Sequence, residues 1–415
     1  MVVRHAGTPG ELKGPRGNGK KSIRTWNYSR KNLMNKTQVH IDDEDRYSRL
    51  KLIGWWDQQR LRDAKIMVVG AGALGNEVLK NLALIGIGHV RLIDFDVIEN
   101  SNLSRSVLFR ADDAGKRKAE VASIAARELN PDVEVEAVCG NVLTDIGLGS
   151  VREMDLVIGC LDNREARLWV NRMCWKVGTP WIDGGIQEIN GVVKVFMPPD
   201  GACYECAMTE RDYQLIQLRY SCPLLRREDL QQGKVPTAPT IASIIAGMQV
   251  QEALKLLHEL PTDVGSALVF NGAANQFYKS KFPYREDCLS HETYEPIISS
   301  PLTCENTLLE VDTWLQAQMG VGAERLLLDR DFVTTVECPV CQTEVDVNQP
   351  LPAVSTANAV CSTCQDPMVP RMLHVVDMDS PLAERKLSEL GVPDHDVIQL
   401  ARDDKTTFVE LVKTP

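Results

Sequence analysis

Three groups of residues in this 415-residue chain have the types and spacing that chemistry requires. The first begins with Gly70, Gly72 and Gly75 in "GAGALG", where an apolar run gives way to a helix-like one. Glycines at GxGxxG spacing allow a tight turn, close approach of the backbone to phosphate and close helix packing. Asp94 follows about 20 residues on, at the end of the next apolar run, where a carboxylate binds ribose hydroxyls. The turn alone leaves NAD and ATP both open. The polar set beyond it favours ATP: Asn102, Arg105, Lys118 and Asp162 put two cations near a carboxylate, which suits a triphosphate with Mg²⁺. Hydride transfer would need no such set.

The second group is cysteine. Cys203 and Cys206, Cys338 and Cys341, and Cys361 and Cys364 form three CxxC pairs among twelve cysteines, and Cys288 stands three before His291 in "CLSH". Two cysteines at this spacing take adjacent corners of a Zn²⁺ tetrahedron, which needs four ligands. The last two pairs, with 19 residues between them, form a complete zinc-ribbon pattern. Cys203 and Cys206 need two more ligands; Cys288 and His291 are the next candidates downstream, with a later CxxC as the competing pair. Both zincs would be structural, since four protein ligands leave no position for water.

The third group centres on Cys222 in "LRYSCPLLRRED", flanked by Arg219, Arg226 and Arg227. Positive neighbours lower a thiol's pKa and raise its thiolate fraction. Cys139, Cys160 and Cys174 lie in apolar contexts and read as core thiols.

The elements that must position these groups alternate from Lys65 onward. "KIMVVG", "HVRLIDFD", "VEVEAV" and "DLVIGCLD" read as strands, separated by helices over Leu74–Ile85 and "KRKAEVASIAAREL". This is the order of a doubly wound α/β sheet. A helix over Arg164–Val177 leads to "TPWIDGG" and the strand "GVVKVFM". Thr209–Val235 reads as an irregular crossing loop, and Pro239–Leu260 as a buried helix with Pro near its first turn. The segment from about Leu302, with its own CxxC pairs, reads as a separate small domain. The expected divisions are a basic flexible arm over 1–42, a doubly wound Rossmann-like nucleotide-binding domain over 43–298 and a small zinc-ribbon domain over 299–415.

Composition narrows the class. The 44% of hydrophobic residues can fill a core, no apolar run is long enough to span a bilayer, and the start lacks the apolar core of a signal peptide. A soluble cytoplasmic protein with no membrane partner is expected. A net charge of −11 argues against nucleic-acid binding, although nine basic residues and one acid lie between Met1 and His40.

Taken together, "RYSR" at 46–49, "GAGALG", "DFD" with "NLSR", "GKRK" and "CLDNREAR" resemble the adenylation motifs of the ThiF/MoeB/HesA superfamily, which includes the ubiquitin-activating enzymes. The resemblance runs over roughly residues 43 to 295. It implies that Gly70, Gly72 and Gly75 line ATP, that Asp94 binds the ribose, that Asn102, Arg105 and Lys118 contact phosphates, and that Asp162 holds Mg²⁺. It also implies that Arg49 reaches in as a finger from the opposite subunit of a homodimer. Ser106 departs from the Gln that often follows the arginine. Related enzymes carry a second CxxC where Cys288 and His291 stand, which places these two with Cys203 and Cys206. The activity implied is adenylation of the C-terminal glycine of a ubiquitin-like protein, then a thioester on Cys222 and transfer to a conjugating enzyme. The alternatives are a sulfur-carrier adenylyltransferase without a thioester, disfavoured because "GKVPTAPT" lacks a cysteine, and a non-catalytic scaffold, disfavoured because Arg49 and Asp162 are present.

Overall fold

A computed structural model describes residues 45–220 and 236–414. The chain divides into two compact units, Met1–Leu52 and Ile53–Pro415. In the first, residues 45–52 form a turn that runs into a 3-10 helix over Leu50–Leu52, with Lys51 paired to Asp45 and Arg49 exposed. The basic arm over 1–42 and Cys222 lie outside the described residues.

The second unit is built on an eight-stranded sheet of order β3-β2-β1-β4-β5-β6-β7-β8. Its strands are β1 Lys65–Val69, β2 His89–Ile93, β3 Glu134–Val138, β4 Leu156–Gly159, β5 Trp181–Gln187, β6 Asn190–Phe196, β7 Ser266–Asn271 and β8 Gln276–Lys281. The first five pair in parallel and the rest antiparallel. The unbroken apolar run of β1 has a simple cause: Ile66 and Val68 enter one core while Met67 and Val69 enter the other, so both faces of the strand are covered.

The helices are α1 Gln58–Asp63, α2 Ala73–Ile85, α3 Lys118–Leu129, α4 Leu148–Arg152, α5 Arg164–Val177, α6 Glu210–Tyr220 and α7 Pro239–Leu257. Residues of α2, α3 and α7 fill the first core and residues of α4 and α5 the second. The chain winds outward from β1 to β3 and then resumes on the other side at β4. This puts the topological switch at the carboxyl ends of β1 and β4, where such sheets bind ligands.

Two expectations shift. The first part of the supposed crossing loop is helix α6; Glu210 and Asp212 in its first turn complement the helix dipole, and that charge disguised it as loop. Helix α7 ends at Leu257 rather than Leu260, because Glu259 takes a left-handed backbone conformation.

A six-stranded sheet follows, with β9 Ile297–Ser299, β10 Arg325–Glu337, β11 Glu344–Pro350, β12 Val369–Asp377, β13 Val397–Arg402 and β14 Lys405–Glu410. Its order is β11-β10-β13-β14-β9, with β12 also on β10. Strand β9 spans position 298 and pairs with β14, so this sheet starts slightly before the expected division. Helix α8, Leu308–Met319, opens with a capping box between Thr307 and Glu310 and packs Leu308, Val311 and Leu315 into the core of this second sheet.

The two sheets are joined by a buried ion pair. Arg330 of β10 donates to Asp396 at 3.0 Å, to the Ile146 carbonyl at 2.7 Å and to the Leu143 carbonyl at 3.2 Å. Asp396 also accepts from the Leu148 amide at 2.6 Å. Burial pushes the Asp396 carboxyl up, and Arg330 opposes that push. Arg330→Ala should therefore cost about 3 kcal/mol in denaturant unfolding at pH 7, because it strands a buried carboxylate. The deficit should shrink toward pH 5, since Asp396 can then take up a proton to relieve its unpaired charge. A loss under about 0.5 kcal/mol would mean that the pair does not hold the sheets together.

Candidate functional site

The glycine turn sits at the carboxyl end of β1. Gly70 has φ +100, and a Cβ there would lie 2.5 Å from the Cys160 carbonyl oxygen. A Cβ on Gly75 would lie 1.8 Å from the Gly70 carbonyl oxygen, so α2 can start this close to β1 only with glycine at that position. Gly72 is the N-cap of α2, and nothing lies within 4 Å of where its Cβ would be. The helix N-terminus thus faces open space, the geometry in which backbone N–H groups and the helix dipole attract phosphate.

Asp94, just past β2, is tied to this turn. Its Oδ2 accepts from the Ala71 amide at 2.7 Å and its Oδ1 from the Asp96 amide at 2.8 Å. Burial pushes its carboxyl up, while the charge of Lys118 and the two amide bonds pull it down. Lys118, the first residue of α3, donates from Nζ to Asp96 at 2.7 Å. Between them runs the segment with Asn102 and Arg105. Asn102 is buried in a short 3-10 helix, where its Oδ1 accepts from the Glu99 amide at 3.0 Å. Only an amide NH₂ can donate to a phosphate, and that bond uses the other half of the group. Arg105 is held by the Ser101 carbonyl at 2.9 Å.

Asp162 is exposed in the loop after β4, and its Oδ1 accepts from Asn163 Nδ2 at 3.1 Å. Asn163 in turn caps α5 by accepting from the Ala166 amide at 2.8 Å. The fold thus joins Asp94 to the glycine turn directly, brings Lys118 beside it through Asp96, and sets Asp162 on the neighbouring strand end. Arg49 belongs to the first compact unit, and Cys222 lies outside the described residues.

Sequence reasoning missed Asn76. Wholly buried one residue after Gly75, it donates to the carbonyls of Ala71 at 2.7 Å and Gly72 at 3.1 Å, and accepts from the Leu108 amide at 2.9 Å. It locks the turn to the segment that follows Arg105. An asparagine inside an apolar helix was the available signal.

Cysteine geometry separates the roles of the thiols. Cys160 lies under the glycine turn, where burial and then Asp183 push its thiol up, and burial does the same to Cys174. Neither is poised as a nucleophile. The ligand atoms of Cys203, Cys206, Cys288 and His291 lie within 4.8 Å of one another, as do those of Cys338, Cys341, Cys361 and Cys364. In the first cluster the sulfurs of Cys203 and Cys206 are 3.7 Å apart, those of Cys203 and Cys288 are 3.5 Å apart, and His291 Nε2 lies 3.4 Å from the Cys206 sulfur. A tetrahedral zinc with Zn–S bonds of about 2.3 Å sets its sulfurs about 3.8 Å apart, so the donors fit that ion. The His291 ring is stacked between Trp175 and Tyr284, with centroids at 4.8 and 4.9 Å. Cys203 and Cys206 therefore close on Cys288 and His291, not on a later CxxC.

A doubly wound sheet with a glycine turn, and a carboxylate hydrogen-bonded to that turn at the switch point, has the architecture of a nucleotide-binding domain. The chain belongs to the ThiF family, whose profile matches residues 44–290. Within that superfamily it is an ATP-dependent adenylyltransferase. It is 31% identical to ubiquitin-like modifier-activating enzyme 5 of Dictyostelium discoideum over 61% of this chain and 69% of that protein. It is 27% identical to adenylyltransferase and sulfurtransferase MOCS3 of Drosophila sechellia over 76% of this chain and 71% of that one. Among solved structures it is similar to E. coli MccB with ATP, with a TM-score of 0.50 and 26% identity over 60% of this chain and 75% of MccB. Across the curated relatives, the matched part runs from 54% to 87% of their length.

The two clusters predict two zinc ions per chain by elemental mass spectrometry of protein purified without added metal. Cys338→Ser should remove one while leaving ATP binding intact. One zinc in the unaltered chain would deny a metal role to one cluster.

Proposed function

We propose that the chain uses ATP to adenylate the C-terminal glycine carboxylate of a small ubiquitin-like or sulfur-carrier protein. One observation carries the reading: Asp94, hydrogen-bonded to the glycine turn, shares its surroundings with Lys118 at the start of α3, while Asp162 stands at the next strand end. A ribose ligand and a cation thus sit on one side of the switch point and a metal-type carboxylate on the other. A carboxylate oxygen of the partner attacks the α-phosphorus of ATP, the bond to the bridging oxygen breaks, and pyrophosphate leaves. The nucleophile is already ionised, so no general base is needed. Asp94 orients the ribose, Asn102 donates its amide NH₂ to a phosphate oxygen, and Arg105 and Lys118 offset phosphate charge. Asp162 would hold Mg²⁺, which neutralises the polyphosphate. Arg49 would come from the second copy in a homodimer. The arm, adenylation and zinc-ribbon divisions at 42 and 298 remain part of this proposal, as do the two zinc sites.

The fate of the acyl adenylate divides two readings. The likeness to a protein named adenylyltransferase and sulfurtransferase favours a product released to a sulfur donor. The thioester reading rests on Cys222 and its basic neighbours in sequence.

Asp162→Ala should reduce partner-dependent ATP–pyrophosphate exchange by about 10²-fold or more while the protein stays folded. Unchanged exchange would take Asp162 out of the site. Intact mass after incubation with Mg-ATP and a glycine-ending ubiquitin-like protein then decides the fate. AMP and pyrophosphate with no mass gain support the sulfur-carrier reading. An ATP-dependent, reductant-reversible gain that is lost in Cys222→Ala supports the thioester.

A further inference from the structure

We propose that Arg167 is a positioning residue for Asp162: from beneath the sheet end it fixes the loop between β4 and α5 that carries this carboxylate. The proposal rests on the reading of Asp162 as the metal carboxylate. Arg167 stands on the first turns of α5, and its guanidinium reaches three places at once. Nη2 donates to the Leu161 carbonyl and, at 3.0 Å, to the Gly184 carbonyl on β5, while Nε donates to Asp183 Oδ1 at 2.9 Å. The Leu161 carbonyl belongs to the peptide bond that leads into Asp162. Holding that oxygen fixes the plane from which the Asp162 side chain departs.

The rest of the loop shows why this bond matters. Cys160 still belongs to the sheet, its amide donating to the Val69 carbonyl at 2.8 Å, and Asn163 already caps α5. Between those two anchors, Leu161 and Asp162 have left the strand and not yet entered the helix, and Arg167 holds them there.

The arginine is itself held. Asp183 is wholly buried, and its second oxygen accepts from Lys194 Nζ at 2.8 Å. The ammonium lies 4.8 Å from the centre of the Tyr204 ring. Burial pushes the Asp183 carboxyl up, but Arg167 and Lys194 outweigh it and hold it below the usual carboxylate range. The carboxylate therefore stays charged and aligned, and so does the guanidinium bound to it. A planar fork can serve three acceptors in different directions from one rigid group, which a lysine ammonium on a flexible stem cannot reproduce.

The test uses the full-length protein, with Mn²⁺ as the probe metal and an ATP analogue that cannot be cleaved for binding, and with Mg-ATP and a glycine-ending ubiquitin-like protein for exchange. Melting temperature, Mn²⁺ affinity by electron paramagnetic resonance and pyrophosphate exchange are measured for Arg167→Lys, Asp183→Asn and Asp162→Ala. Arg167→Lys should stay folded, lose about tenfold or more in Mn²⁺ affinity, and lower kcat more than it raises KM for ATP. Asp183→Asn keeps an acceptor for Nε and should show the same defect in smaller degree. If Asp162→Ala loses Mn²⁺ binding while folded Arg167→Lys and Asp183→Asn bind it normally, the positioning role is overturned and the reading of Asp162 stands. If Asp162→Ala itself binds Mn²⁺ normally, that reading falls and the positioning role falls with it. Should Arg167→Lys not fold, Asp183→Asn decides by the same two measurements.

Discussion

The nucleotide site depends on the approach of Gly75 to the carbonyl of Gly70. No side chain can occupy that position, because its Cβ would overlap the oxygen. The approach lets α2 begin within one turn of the end of β1, and the neighbouring residues inherit their places from it. The Ala71 amide can then meet Asp94, and Asn76 can reach back to the turn and outward to Leu108. One backbone contact thereby registers Asp94 and the segment after Arg105 against the same turn, the groups proposed to meet the ribose and the phosphates. A nucleotide bridging the two would find their spacing set before it binds, which lowers the ordering cost of assembling the site.

Around that centre a second constraint recurs. Four carboxylates are buried among the described residues; Glu77 pairs with Lys80, and the three most deeply buried each have an arginine: Asp183 with Arg167, Asp396 with Arg330, and Glu205 with Arg172. A buried ion pair adds little net stability over a well-packed apolar pair, because desolvation offsets the attraction. What these pairs contribute is direction. Arg330 binds carbonyls of the loop before α4, and Arg167 binds the loop after β4. Glu205 accepts from Arg172 of α5, Tyr213 of α6 and Ser290 beside His291. In each case an irregular stretch without ladder hydrogen bonds is fixed to regular structure through a charged hub.

The difference between these two constraints explains what could be read from the sequence. The glycine turn, Asp94 and the alternation of strands and helices are local, so spacing along the chain reveals them. The CxxC pairs are legible for the same reason, and Cys288 with His291 followed from resemblance to related enzymes. Arg167 closes the motif "CLDNREAR", but nothing along the chain says what it binds, and Asp183 and Lys194 gave no signal. Asp183 and Lys194 face each other only because β5 and β6 pair in that register, and Arg167 joins them only because α5 packs under the sheet. The second sheet was hard to read for another reason. Strand β10 pairs with three partners and shifts register along its length, so its side chains do not keep a clean alternation. Helix α6 hid behind the charges that start it.

The same reasoning distinguishes two clusters whose chemistry looks alike. Cys203, Cys206 and Cys288 are part of the core that α4 and α5 share with the main sheet, and Trp175 of α5 stacks on His291. That cluster joins chain segments on either side of β7 and β8 and bears on the helix that carries Asn163's cap and Arg167. Cys338 and Cys361 belong instead to a small separate core with Val333, Val336 and Met368, at the end of β10. Its four ligands close a local loop between β10 and β12 and touch no residue of the nucleotide site. Equal donor sets therefore stand in unequal surroundings: the first lies within the core of the main sheet, and the second in a small core of its own at the end of β10.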